Sequence, residues 1–188
     1  DTLSLHDALP ISDQLRTWSA TPGMTGVRLS FNKPTTRAQL VDGALDPLWA
    51  AAADHDVPLM ILAPGLLPVI AQLARSYPQL RIIVDHLAIP RGLKGAKAFE
   101  HLPELLAIAR YPNIAVKAAG IPGYSVNEPF PFASLHEPLR QVFEAFGPNR
   151  MFWGTDLSRM THPYKECVEM FTQGLPWLKG ADLEAVMG

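Results

Sequence analysis

The chain has 188 residues, 48% apolar and 18% charged, which is enough for one sizeable buried core. Its formal net charge of −2 comes from interspersed acids and bases, an argument against a nucleic-acid partner and against an acidic tail. A single cysteine, Cys167, excludes an internal disulfide and fits a reducing, cytoplasmic setting.

The first twelve residues, DTLSLHDALPIS, differ in character from the rest of the chain. Their His6–Asp7 pair would suit hydrolytic chemistry, yet residues 2–11 are also the in-frame translation of ACTCTTTCCCTACACGACGCTCTTCCGATC. That string is similar to a sequencing-library adapter, and ten consecutive codons are too long a match for coincidence. Residues 1–12 are therefore set aside as non-native, leaving 13–188 as one domain. Without Asp1 and Asp7 the 18 acids become 16, against 16 bases.

From Gly26 onward, β-type and helical patterns alternate. The β-type runs are GVRLSF (26–31), VPLMIL (57–62), LRIIVDH (80–86), NIAVKAAG (113–120) and RMFWGTD (150–156). Most carry three or more consecutive apolar residues, the pattern of strands buried on both faces. Asp46–Pro47 opens the first helical pattern as an N-cap and N1 pair. Further helical patterns span 65–78, 99–112 and 135–148, the last ending in Gly147–Pro148, with others beginning at 164 and 181. The apolar stretch 57–73 is broken by three prolines and does not read as a membrane span, nor is a secretory leader visible. Strand-helix alternation at this spacing predicts a parallel α/β fold, as an open doubly wound sheet or a (β/α)8 barrel. Five units are too few for a complete barrel, so the barrel reading is of a partial one.

Chemistry in parallel α/β folds sits at the carboxyl ends of the strands. Those ends supply Arg28, Ser30 and Asn32, then Asp85–His86, Lys117, and Thr155–Asp156 followed by Ser158 and Arg159. Asp156 can bind a divalent cation or take a proton from water, or it can cap a following helix. His86 can be a ligand, an acid–base group or a satisfied structural imidazole. Lys117 within an apolar strand needs a carboxylate or substrate anion, unless it snorkels to the rim. Arg28 has the same choice, substrate-carboxylate binding being its sharper reading. His55 complements a helix C-terminus, His101 and His136 lie on helices, and Trp153 packs. His162 is a weaker site candidate, and Cys167 lacks a neighbouring base to make it a nucleophile.

In this order and spacing, IIVDHLAIP, YPNIAVKAAG and FGPNRMFWGTDLSRM resemble consecutive motifs of the amidohydrolase-related family, TIM-barrel hydrolases and decarboxylases. The resemblance runs from about Gly26 to Gly188 and is strongest between 80 and 160. It implies an α/β fold that is a partial (β/α)8 barrel, approximately strands 4 to 8. His86 would close strand 6, Lys117 would lie on strand 7, and Asp156 would close strand 8.

The resemblance implies roles as well. Asp156 becomes a metal ligand, a general base toward water, or both, and His86 a metal ligand or a polariser of the scissile carbonyl. Strands 1 to 3, with the usual His-x-His pair, are not among these residues. The strand 5 position that often holds a ligand histidine falls near Leu62. Together these features imply one divalent metal, zinc or manganese, or none. The expected reaction is hydrolysis of a small lactone, ester or amide, with Arg28, Lys117 and Arg159 binding an anionic group. One alternative is non-oxidative decarboxylation, which the Leu62 position disfavours. Another is that the 188 residues alone are an inactive piece, whose open sheet edges invite a second copy.

Overall fold

The computed structural model describes residues 10–188, apart from the Arg159 side chain; the His6–Asp7 pair lies outside the described residues. Five strands form one parallel sheet: β1 Val27–Ser30, β2 Leu59–Leu62, β3 Ile82–Val84, β4 Ile114–Ala119 and β5 Met151–Gly154. Each falls within one of the runs read from sequence. Their spatial order is the chain order, β1-β2-β3-β4-β5. A doubly wound sheet reverses direction at a switch point, and this sheet has none. Crossovers of one hand then put the helices on one face, as in an arc of a barrel.

The helices are α1 Ile11–Ser19, α2 Pro34–Val41, α3 Asp46–Asp54, α4 Leu67–Ser76, α5 Leu102–Ala107, α6 His136–Phe146, α7 Tyr164–Glu169 and α8 Gly180–Met187. α1 crosses the boundary drawn at residue 12 and buries Leu15. α2 escapes a reading by periodicity because only Leu40 on it is buried, although Pro34 in its first turn is a start signal. Leu45, not Asp46, occupies the N-cap of α3, so Asp46 and Pro47 both lie in the first turn. α5 is shorter than the 99–112 pattern, tightening into a 3-10 turn over Ile108–Arg110. α6 stops as its Gly-Pro ending requires, with Gly147 at φ 72°.

One row of strand side chains, including Leu59, Ile61, Ile82, Val84, Ile114, Val116 and Met151, is completely buried in the core. The alternate row, including Arg28, Met60, Ile83, Lys117 and Phe152, is only half-buried or exposed. The strands are thus buried on one face, not both. A closed barrel covers its inner face with strands from across the axis, whereas five strands make an arc that leaves this face open.

At the amino ends of the strands, a polar residue just before β3, β4 and β5 ties down the segment that enters the neighbouring strand earlier in the chain. Arg81 donates to the Asp56 carbonyl at 2.6 Å. Asn113 Nδ2 donates to the carbonyls of Ala74, Tyr77 and Leu80 at 3.0–3.1 Å. Arg150 Nη1 donates to those of Ala109, Tyr111 and Ile114 at 3.0–3.1 Å. These bonds satisfy carbonyls that the helix ends and loops leave over, and they fix the strand bases.

Candidate active site

The carboxyl ends of β3, β4 and β5 converge on a cleft of about 330 Å³ lined by Arg28, Asp85, His86, Lys117, Trp153 and Asp156. Directly after β3 the backbone turns left-handed for three residues without a glycine: His86 at φ 50°, Leu87 at 52° and Ala88 at 55°. Each such residue costs on the order of 1 kcal/mol. Burial of Leu87, Ala88 and Ile89 helps to hold the turn. So do hydrogen bonds from the Ile89 amide to the His86 carbonyl (3.0 Å) and from His101 Nε2 to the Leu87 carbonyl (2.7 Å).

The turn aims the His86 ring across the sheet. Its Nδ1 lies 3.2 Å from the Ala119 carbonyl at the end of β4. A carbonyl only accepts, so Nδ1 carries a proton and Nε2 is left to face the cleft. There Nε2 is 3.7 Å from Asp156 Oδ2 and 4.0 Å from Asp85 Oδ2.

Asp156 is itself left-handed, at φ 48°. It precedes a 3-10 turn, Leu157–Arg159, but its side chain makes no capping hydrogen bond, which removes the helix-cap reading. Gly120 makes room for it: a Cβ there would lie 3.3 Å from the Asp156 Cβ, and φ at Gly120 is 67°.

Asp85 is the buried centre of the arrangement, 1% exposed. Arg28 Nε donates to its Oδ2 at 2.5 Å, from two strands away. Lys117 Nζ lies 3.4 Å from Oδ1 as an ion pair and 3.2 Å from the Met60 sulfur. Two cations from β1 and β4 therefore lean inward over β2 and β3 and share one buried carboxylate. Burying Asp85 is tolerable only because both cations neutralise it.

Four of the five site residues expected from sequence thus come together: Arg28, His86, Lys117 and Asp156. The fifth, Arg159, lies on the adjoining turn, and its side chain is outside the described residues. Asp85 is missing from that expectation. Its signal is the carboxylate that Lys117 demands, which stands one residue before His86. Trp153 both packs on the core and lines the cleft.

His86 and Asp156 could supply two ligands to a divalent cation. Three protein ligands are usual at a catalytic zinc, and among the described residues no group of three His, Cys, Asp or Glu side chains is disposed to hold one. These residues alone do not fit a complete metal centre. Leu62, at the end of β2, is a buried hydrocarbon in place of a ligand.

The remaining candidates have local roles. His55 meets Ser12 at 2.8 Å, and His136 Nε2 donates to the Pro131 carbonyl at 2.7 Å. His162 packs on Phe132 and approaches Ser125 Oγ at 3.3 Å. Cys167 is buried, and that burial raises its thiol pKa, the opposite of what a nucleophile needs. Among the described residues, no helix is long and apolar enough to cross a membrane.

Residues 2–188 match a protein-family model described as amidohydrolase. The chain is 31% identical over 137 residues to an L-fucono-1,5-lactonase from Burkholderia ambifaria, covering 72% of this chain and 46% of that protein. An amidohydrolase from Burkholderia multivorans, crystallised with bound zinc, superposes with a TM-score of 0.78 at 17% identity, over 96% of this chain and 66% of that one. A crystal structure described as a putative 2-pyrone-4,6-dicarboxylic acid hydrolase from Pseudomonas putida gives a TM-score of 0.68 at 22% identity, over 94% and 64%. The chain thus spans about half the length of the curated relative, and the two structural likenesses establish a shared TIM-barrel-type fold.

Proposed function

The chain belongs to the amidohydrolase family, and from that membership and the geometry of the cleft we propose that the whole protein hydrolyses a small lactone, with Asp156 as general base. The observation that carries the reading is the facing pair of His86 Nε2 and Asp156 Oδ2, 3.7 Å apart at the mouth of the sheet. At that spacing a carboxylate and an imidazole can both reach one small group placed beside them. The likeness to an L-fucono-1,5-lactonase supports a lactone as the substrate class.

Asp156 takes a proton from water as its oxygen attacks the lactone carbonyl carbon. His86, with Nδ1–H held by the Ala119 carbonyl, donates from a protonated Nε2 to the carbonyl oxygen as negative charge builds there. When the ring C–O bond breaks, the protonated Asp156 returns its proton to the departing alkoxide. Arg28 spends Nε on Asp85, and its half-exposed side chain lines the cleft. With Lys117 it binds an anionic substituent of the substrate. Arg159 adds to that binding. If a divalent cation is bound, His86 and Asp156 would be two of its ligands, and it would supply Lewis acidity toward the carbonyl.

The test is proton release by the complete protein on a panel of 1,4- and 1,5-lactones. Ring opening yields one proton per carboxylate formed at neutral pH. Release of carbon dioxide from an unsaturated or aromatic acid, with no lactone turnover, would replace this reading with decarboxylation.

A further inference from the structure

The segment Ile89–Lys94 does not line the Arg28–Lys117 cleft, yet its Arg91 shares a pocket with each of the two reactive residues. Arg91 lines a second compartment of about 210 Å³ that also touches Lys94, Gly120, Tyr124 and Asp156. It also lines a small pocket of about 30 Å³ that touches His86 and, again, Tyr124. His86 and Asp156 therefore both border the Arg28–Lys117 cleft, and each also borders a pocket lined by Arg91 and Tyr124.

The backbone is anchored on both sides of Arg91, whose side chain is exposed. Ile89 is buried on one side of it, and Leu93 packs on the core on the other. Between them the Leu93 amide closes a turn onto the Pro90 carbonyl at 3.3 Å, with Gly92 at φ 85°. Neither Arg91 nor Lys94 makes a side-chain ion pair or hydrogen bond among the described residues, unlike Arg28 and Lys117, which share Asp85. The one acid bordering the compartment is Asp156. Two exposed cations bordering one compartment favour a negative group there.

We propose that Arg91, with Lys94 beside it, forms a carboxylate-binding subsite for the arm of the substrate that projects past His86 and Asp156. The guanidinium fork matches the two oxygens of a carboxylate, and about 210 Å³ admits such a group on a short chain but not a large ring system. The substrate is then a carbonyl compound bearing a carboxylate on the far side of its reacting carbon. This assignment rests on the reading of His86 and Asp156 as the reacting centre.

The test is calorimetric titration of the 188-residue chain with glutarate, with neutral glutaramide as the control. Glutarate binding that Arg91→Ala weakens about tenfold or more, and Arg91→Lys by less, supports the subsite, since a charge-assisted fork is lost in the first and only its geometry in the second. Glutaramide should not bind. Equal glutarate affinity in wild type and Arg91→Ala, or no glutarate binding at all, overturns the subsite. Those results leave the hydrolytic reading intact, because that stands on lactone turnover. Conversely, absence of lactone turnover in the complete protein, with glutarate still dependent on Arg91, would sink the hydrolytic reading and keep the subsite.

Discussion

At the level of single residues, the site is organised by a side chain that is not itself placed to react. Asp85 is buried between Arg28 and Lys117, and its loss would leave two cations facing each other without a counter-charge. Asp85→Asn, nearly isosteric, should therefore lower unfolding stability by about 1–3 kcal/mol, less than for a fully buried pair because Arg28 is half-exposed. Chemical denaturation measures this, and an unchanged midpoint would mean that the cations do not need it. Sequence discloses the reactive residues better than this one. Asp156 and His86 stand at strand ends, where position alone marks them. Asp85 stands at a strand end as well, but its part as a shared counter-ion becomes legible only once the sheet sets Arg28 of β1 and Lys117 of β4 against it. The left-handed turn at His86–Ala88 is also hidden, because no glycine advertises it and burial, not local preference, holds it.

Among the elements, the two ends of the sheet divide their labour. The carboxyl ends carry His86, Gly120 and Asp156, with strained or glycine-dependent backbone. The amino ends carry Arg81, Asn113 and Arg150, whose hydrogen bonds tie the segment entering the neighbouring earlier strand to the base of the next. Asn113→Ala removes the donor for three carbonyls at once, with an expected stability loss of about 1–3 kcal/mol and no effect on glutarate affinity. Thermal unfolding and the same titration check both halves of that statement. All five strands are readable because their apolar runs are short and bounded by Pro and Gly. α2 is not, since a helix that buries one leucine leaves almost no periodic signal. Consecutive apolar residues predict burial on two faces. In a barrel arc they mark one face under helices and one face toward the axis.

Across the whole molecule, β1 and β5 each pair on one side only among the described residues, and the face between them is half-open. Unpaired parallel edges and a partly apolar face favour self-association. Sedimentation of the 188-residue chain should show concentration-dependent assembly, whereas a monomer at every concentration would mean that the edges are protected. The parallel sheet and the gathering of His86, Lys117 and Asp156 at its carboxyl end follow from strand-helix alternation and are legible as such; the chain order of the strands is not, because alternation alone also allows a doubly wound sheet. Nor is the partnership of Arg28 with Asp85 across an intervening strand, because it depends on the register of three strands. The proposed reaction turns on Asp156 removing the proton from the attacking water. The most direct measurement is lactone hydrolysis by the complete protein carrying Asp156→Asn. A general base contributes about 10²–10⁴-fold, so kcat should fall by roughly that factor while KM changes little; turnover equal to that of the unsubstituted protein would show that Asp156 is not the base.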